Sequence, residues 1–118
     1  MQTPVILLAT TQLVHTQNMN VTSSTALAGM FAEQSKLNSS AHNIANLGTQ
    51  DFTRQEVVQS TTAGNGTQTT VRSSTSGAGN NLEADLVQQL QSANTYLANL
   101  SVFKTNNDMI GTLINTKA

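Results

Sequence analysis

The chain has no cysteine, a single proline and few charged or aromatic side chains. Without cysteine it can form no disulfide, no thiolate zinc site and no thiol nucleophile. Charged residues make up 9% and aromatic residues 3% of its 118 residues, and the formal net charge is −1. So small a charge provides no attraction for nucleic acid or anionic lipid, and no aromatic platform for stacked bases is present. The length allows one domain.

Long hydrophobic runs are also missing. No stretch approaches the ~20 apolar residues that cross a bilayer, so we expect no membrane span. The main apolar run, residues 5–9, lacks the basic residues and the small-residue cleavage site of a signal peptide. If the protein leaves the cytoplasm, we therefore expect export without a conventional cleaved signal.

Neutral polar side chains are abundant instead: Asn, Gln, Ser and Thr account for 53 of the 118 residues. This composition suits a chain that packs against copies of itself through hydrogen bonds and small residues. The alternative is a low-complexity, partly disordered chain, since low hydrophobicity limits core formation. Low net charge and a clear apolar periodicity favour the folded alternative.

The stretch from Asn81 to Lys117 predicts a long C-terminal helix, because its apolar residues recur at steps of three and four. So narrow a stripe on so long a helix needs a partner stripe, in the same chain or in other copies. The stripe consists of Leu82, Leu86, Leu90, Ala93, Leu97, Leu100, Phe103, Ile110 and Ile114.

Residues 23–47 predict a shorter N-terminal helix with its own heptad-like seam. Ser23 or Ser24 is the expected N-cap, and Gly48 the expected left-handed C-cap. The seam residues are Leu27, Met30, Gln34, Leu37, Ala41 and Ile44. Residues 1–22 are expected to be a flexible leader, in which residues 5–8 could be a short strand or the start of a helix.

Residues 48–80 predict a loop that contains a short β-hairpin. Two segments rich in Val, Thr and Gln, residues 54–61 and 67–74, flank a turn with Asn65-Gly66, and Asn-Gly supplies the positive φ that hairpin turns need. Residues 73–80 form a flexible return link. The predicted fold is therefore mainly α: two long antiparallel helices in a coiled-coil-like pair, joined by the hairpin, which turns the chain back so that the two seams meet. We expect the second helix to outrun the first by about a dozen residues.

No residue pattern in the chain predicts an active site. His15 and His42 have no acid or second histidine at ligand spacing, so we expect no metal site. Glu83 and Asp85 are placed to stabilise the positive end of a helix dipole and do not face each other as a catalytic pair would. We expect no enzyme activity and no cofactor.

Both predicted helices carry motifs of a known family. Residues 26–30 (ALAGM) lead, through Leu37, to Ala41-His42-Asn43-Ile44-Ala45-Asn46, with Thr49 and Phe52 beyond. The second helix opens with Asn81-Leu82 and continues with an acidic start at residues 83–87. Further along, Tyr96 and Asn99 form a Y-x-x-N element, and residues 108–114 form a D-x-M-x-x-T-L-L-like run. These segments, about residues 23–54 and 80–117, resemble the two ends of bacterial flagellar rod and hook axial proteins.

Two positions depart from the family pattern. His42 replaces the usual first Asn, and Asp51 stands where a Gly usually precedes the aromatic residue. The short middle segment resembles that of the small proximal-rod type. For Asn43 and Asn46 two roles remain open, helix C-capping and amide hydrogen bonding between subunits. Close approach of the helices, or simple tolerance, would explain the glycines at 29 and 111.

The resemblance implies a structural subunit of the flagellar basal-body rod. Such proteins are exported unfolded through the flagellar type III apparatus, and their terminal helices pack into a tube with copies of themselves and with other axial proteins. A soluble paralogue that acts as an assembly chaperone, cap or regulator is the alternative. The expected subunit-packing seam consists of Leu27, Met30, Leu37, Ile44, Leu86, Leu90, Leu97, Leu100, Phe103, Ile110 and Ile114.

Overall fold

The protein forms two long antiparallel helices with a two-stranded hairpin between them in the chain, as the sequence predicts. The structure, a computed structural model, describes residues 4–61, 66–74 and 81–116, and within the first helix it describes side chains from residue 18 onward, except residue 19. The described elements are α1 (Pro4–Ala45), β1 (Gln55–Thr61), β2 (Thr67–Ser73) and α2 (Leu82–Thr116).

Helix α1 begins at Pro4, so the predicted helix start at residue 23 is wrong and residues 4–22 are helical. Proline is favoured in the first turn of a helix, where a missing N–H has no partner to lose. The polar residues near residue 20 do not end the helix, and hydroxyls among them bond back to carbonyls of the preceding turn. Thr22 Oγ1 donates to the Asn18 carbonyl at 3.0 Å, and Ser24 Oγ to the Val21 carbonyl at 2.9 Å.

The hairpin pairs β1 with β2 in antiparallel register, from Gln55 opposite Ser73 to Thr61 opposite Thr67. Gly66 has a φ of 139°, the positive value that the Asn-Gly pair predicts, while residues 62–65 lie outside the described residues. The return link at 75–80 also lies outside them. Both strands pack against α1, which gives this marginal element the support that an isolated hairpin lacks.

The two helices run antiparallel in a register set by polar contacts. Asn106 Nδ2 donates to Ser23 Oγ near one end, and Asn43 lies against Asp85 near the other. Continued along both helices, this register sets residues 108–116 opposite residues 13–21. The expectation that α2 outruns α1 is therefore wrong, because α1 has 42 residues and α2 has 35.

In both helices, many of the residues that contact the other helix directly precede a residue of the predicted stripe. In α1 the buried and half-buried positions advance by four and three residues; in α2 they do the same. We call these positions the contact seam: Ala26, Met30, Glu33, Leu37, Ser40 and Ile44 in α1, and Asp85, Gln89, Ser92, Tyr96, Asn99, Phe103, Asn106 and Ile110 in α2. Eight of these fourteen side chains are small or polar, and the other six are Met30, Leu37, Ile44, Tyr96, Phe103 and Ile110.

The molecule is consequently a thin layer. Its Cα atoms span 77 × 27 × 16 Å, and among the described residues only Ala26, Met30 and Ala32 are buried apolar side chains. The hairpin lies on one side of the layer, over the side of α1 that carries Ser39 and Asn43.

Candidate functional site: the junction of helices and hairpin

Asn43, in the last turns of α1, holds the first residue of β1 as a neighbouring strand would. Its Oδ1 accepts from the Gln55 backbone N–H at 2.8 Å, and its Nδ2 donates to the Gln55 carbonyl at 3.0 Å. Ser39, one turn earlier, donates to the same carbonyl at 3.0 Å. Asn43 is therefore neither a helix cap nor free for a bond between subunits, the two roles that the sequence left open. Its amide is used inside the chain.

Arg54 and Asp85 form a two-pronged ion pair that joins the hairpin to α2. Arg54 Nη1 donates to Asp85 Oδ2 at 2.8 Å and Nη2 to Oδ1 at 2.7 Å, the geometry in which guanidinium and carboxylate bind most strongly. Asp85 is 1% exposed. The hydrogen bonds and charge of Asp85 raise the pKa of Arg54 and outweigh the opposing effect of burial, so Arg54 stays protonated.

These contacts form one network, which we call the junction: Ser39, Asn43, Arg54, Gln55 and Asp85. Asn43 Nδ2 lies 3.5 Å from Asp85 Oδ1, which connects the backbone clamp to the ion pair. The sequence identified Asn43 and Asp85 but assigned Asp85 to the helix dipole and did not single out Arg54 or Ser39. No local spacing signals the pair, because 31 residues separate its members.

The other motif residues of the N-terminal segment build the turn that leaves α1. Asn46 donates from its backbone N–H at 3.2 Å and from Nδ2 at 2.9 Å to the His42 carbonyl, so it caps the helix end, one of its two predicted roles. The Thr49 N–H donates to the Asn46 carbonyl, and the Phe52 N–H to the Thr49 carbonyl. Ile44 is half-buried and Ala45 is exposed.

Asp51 takes the left-handed backbone in this turn, with a φ of 57°. It is the third residue of the turn closed between Thr49 and Phe52, a position where a positive φ favours Gly or Asn. The predicted left-handed C-cap at Gly48 is wrong, because Gly48 has no positive φ. His42 is exposed, with its ring 5.3 Å from that of Phe52.

Helix α2 supplies the two remaining motif residues to the contact seam. Asn99 is half-buried and faces Gly29, where an added Cβ would lie 2.7 Å from Asn99 Nδ2. Close approach therefore explains Gly29, while a Cβ at Gly111 would meet nothing within 4 Å. Tyr96 is half-buried, and its hydroxyl makes no hydrogen bond to the residues that the structure describes.

The predicted subunit-packing seam divides between two environments. Met30 is buried, and half-buried positions are Leu37, Ile44, Leu100, Phe103 and Ile110. The exposed positions are Leu27, Leu86, Leu90, Leu97 and Ile114. The expectation that the two predicted seams meet each other inside the chain is therefore wrong for these five. Packing of the seam between subunits stays a prediction.

A groove of about 490 Å³ lies between the helices on the side of the hairpin. Its charged residues are Glu33, Lys36 and Glu83, of which Glu33 and Lys36 already pair with each other at 3.0 Å. Within residues 4–61, 66–74 and 81–116, no three His, Asp or Glu side chains could hold a metal ion together. None of the helices in that part of the chain has the length and apolar character of a membrane span.

No protein-family model matches the chain, and no curated protein matches it. The function therefore has to be inferred from the junction, the exposed apolar residues and the motifs themselves.

Proposed function

We propose that the protein is a structural subunit of the bacterial flagellar basal-body rod. Its role is to assemble with copies of itself and with other rod and hook axial proteins, through its two long helices, into a tubular structure. It would act in the periplasmic rod after export without a cleaved signal peptide. The proposal involves no catalysis and no cofactor.

The observation that carries the proposal is the meeting of the two motif segments at the junction. Asn43 belongs to the N-terminal motif and Asp85 to the acidic start of the C-terminal segment, 42 residues later. Together with Arg54, these two residues form one network of contacts, which explains three polar positions in the two segments. A chance likeness in two separate segments would not require their residues to contact each other.

Asp51 gives independent support. The rod and hook pattern usually has Gly at this position, and Gly is the residue best suited to a positive φ. Here Asp51 has a φ of 57°, and Asp is among the few other residues that tolerate this conformation. The positive φ that would explain the glycine of the family is thus present at this position, although the residue here is Asp.

The exposed leucines favour an assembling protein over a monomeric binding module. Contiguous apolar surface of more than a few hundred Å² is uncommon on monomeric soluble proteins and marks interaction sites. Leu86, Leu90 and Leu97 recur along one side of α2 and are between 46% and 69% exposed. A subunit whose helices pack against neighbours would cover them.

Mass spectrometry of basal bodies purified from the native host tests the proposal. We expect this chain in a fixed ratio to the other axial proteins and resistant to salt washes. A matched preparation from a strain that lacks the gene controls for carry-over. Absence of the chain from intact basal bodies would refute a structural role.

The second candidate is a soluble paralogue that chaperones, caps or regulates rod assembly. It is favoured by the helical segment 4–22, which lies outside the motif segments and opposite the last turns of α2 in the register of the pair. That segment would occupy a side of α2 that an incoming subunit would otherwise need. Recovery in the cytosol as a complex with a rod subunit, and not in basal bodies, would favour this candidate.

Substitution of Leu97 by Asp tests whether the exposed stripe is the assembling surface. We expect Leu97→Asp to abolish incorporation into basal bodies, since it places a charge where subunits would pack. Val102→Asp, on the other flank of α2, is the matched control. Normal incorporation of Leu97→Asp would contradict the seam assignment.

A further inference from the structure

One side of the helix layer carries uncharged, largely apolar side chains that none of the described residues covers. Each of these residues directly follows a residue of the contact seam, and the large ones among them are mostly exposed. We call this side the apolar face: Leu27 and Phe31 in α1, and Leu86, Leu90, Ala93, Leu97 and Leu100 in α2. The exposed fractions of Leu27, Phe31, Leu86, Leu90 and Leu97 range from 42% to 69%.

Helical geometry places both halves of this set on the same side of the layer. In an antiparallel helix pair, equivalent flanks of the two helices point the same way, because a two-fold axis perpendicular to their common plane relates them. The residues that follow the contact seam in α1 and in α2 therefore form one surface. Ser39 and Asn43, which hold the hairpin, each precede a seam residue, Ser40 or Ile44, so the hairpin covers the opposite side.

The charges at the ends of the α2 stripe identify what covers the apolar face. Glu83, Leu90, Leu97 and Lys104 follow one another at intervals of seven, so they keep the same position relative to the contact seam, which also repeats every seven residues. Glu83, at the start of α2, also borders the groove on the hairpin side of the layer. Between Glu83 and Lys104 the only charged residue of α2 is Asp85, which is buried in the junction. Glu83 and Lys104 are both exposed, and neither forms a salt bridge with another described residue.

Two copies of this row of residues, placed side by side in opposite directions, match each other in both apolar and charged positions. If α2 packs antiparallel on α2 of another copy, with the two-fold axis between Ala93 and Asn94, Leu90 lies beside Leu97 of the second copy. The same two-fold axis sets Glu83 of each copy beside Lys104 of the other, which gives two ion pairs per dimer. A lipid surface would gain nothing from this arrangement of opposite charges, whereas an isologous dimer uses both pairs.

We propose that the apolar face binds a second copy of the chain, with the two α2 helices antiparallel across a two-fold axis near Ala93. The product is a closed dimer in which two helix layers stack face to face, like a four-helix bundle, with both hairpins outside. All subunits of a polar tube point the same way, so this dimer is a soluble form distinct from rod packing. It depends only on the face and its charges, whether or not the chain enters a rod.

Sedimentation equilibrium of the full chain over a concentration series measures the dimer directly. We expect a species of twice the 12.5 kDa chain mass that dissociates reversibly on dilution. Leu97→Asp should weaken the dimer at least ~30-fold, the loss expected for a central interface residue. Val102→Asp is the matched control, because Val102 is 47% exposed on the other flank of α2, and it should leave the dissociation constant unchanged.

Reversal of the end charges tests the two-fold arrangement itself. Glu83→Lys and Lys104→Glu should each weaken the dimer by roughly three- to tenfold at low salt, since each places two like-charged pairs across the interface. The double variant should restore the wild-type dissociation constant. Far-UV circular dichroism of each variant checks that the helices remain folded.

Several results would overturn the proposal. These are a wild-type chain that stays monomeric at high concentration, open-ended oligomers in place of a dimer, equal effects of Leu97→Asp and Val102→Asp, and a double charge reversal that fails to restore binding. A monomer that floats with neutral phosphatidylcholine vesicles would assign the face to lipid instead. None of these outcomes bears on recovery of the chain from basal bodies, so this inference and the rod proposal can fail separately.

Discussion

Asp85 shows how one buried carboxylate can organise a chain with almost no apolar core. It accepts both prongs of the Arg54 guanidinium and lies next to the Asn43 amide, so three segments converge on one side chain. A buried ion pair is favourable only when the remaining polar atoms are also satisfied. The Asn43 amide, whose Nδ2 lies 3.5 Å from Asp85 Oδ1, offers this carboxylate a further hydrogen-bond donor.

Loss of the Asp85 charge should therefore weaken the fold. We expect Asp85→Asn to lower the free energy of unfolding by about 2 kcal/mol, because it leaves the Arg54 charge, whose side chain is 18% exposed, without its carboxylate. Glu83→Gln, an exposed acid in the same helical turn, should change it by less than about 0.5 kcal/mol. Urea unfolding followed by circular dichroism measures both, and equal effects would contradict a special role for Asp85.

Neighbouring serines of α1 should respond in opposite directions. Ser39 and Ser40 are both buried, but Ser39 donates to the Gln55 carbonyl, whereas the Ser40 hydroxyl has no hydrogen-bond partner in the described part of the chain. Ser39→Ala should lower the free energy of unfolding by about 1 kcal/mol, and Ser40→Ala should raise it by a similar amount. Thermal unfolding of the two variants side by side is the measurement. A destabilised Ser40→Ala would show that this hydroxyl has a partner in solution.

The helices meet along a seam in which small and polar side chains lie among larger apolar ones, and the contacts of Asn106 with Ser23 and of Asn43 with Asp85 set their register. Gly29 lies where α1 passes closest to Asn99, whereas Gly111 sits in open space near the end of α2. Both glycines weaken a helix by about 1 kcal/mol relative to alanine. Only the first is required by the packing of one helix on the other.

Substitution of each of the two glycines by alanine should distinguish the effect of helix propensity from the effect of packing between the helices. Gly111→Ala should raise the free energy of unfolding by about 0.5–1 kcal/mol through helix propensity alone. Gly29→Ala should bring no net gain, because its Cβ would lie 2.7 Å from Asn99 Nδ2 and displace that side chain. Chemical denaturation of both variants decides the matter, and equal stabilisation would mean that the helices are further apart than the structure has them.

The whole molecule is a thin layer that rests on contacts between its two ends. Its described core holds three apolar side chains, and much of its apolar surface faces outward. Isolated helices rich in Asn, Ser and Thr are marginal in water, so neither helix should be stable without the other. Folding of this chain is thus coupled to helix pairing, and its apolar face remains free for association.

Separated halves should consequently fold only together. We expect a peptide of residues 1–74 and one of residues 81–118 to show weak helical signals alone, and a mixture to show more helix than their sum. The Asp85→Asn version of the second peptide should show a smaller gain, because it lacks the charge that binds Arg54. Circular dichroism at equal concentrations tests this, and strictly additive spectra would contradict the coupling.

Local sequence patterns were sufficient to predict the C-terminal helix and the hairpin. Steps of three and four identify α2, the Asn65-Gly66 pair identifies the hairpin, and both agree with the structure. The helical segment 4–22 was harder to predict, because hydroxyls such as that of Thr22 can either cap a helix or bond back along it. Only the folded chain decides between these uses.

The sequence by itself determined the helix–hairpin–helix order, the antiparallel pairing and the presence of an apolar stripe, because each follows from periodicity and short turns. The tertiary structure decided which side of each helix meets the other, and it assigned Arg54 to Asp85. Apolar periodicity reports that a face avoids water without stating what covers it. Here hydrogen bonds between residues 31 to 83 positions apart hold polar side chains such as Asp85 and Asn106 inward, while Leu86, Leu90 and Leu97 lie outside.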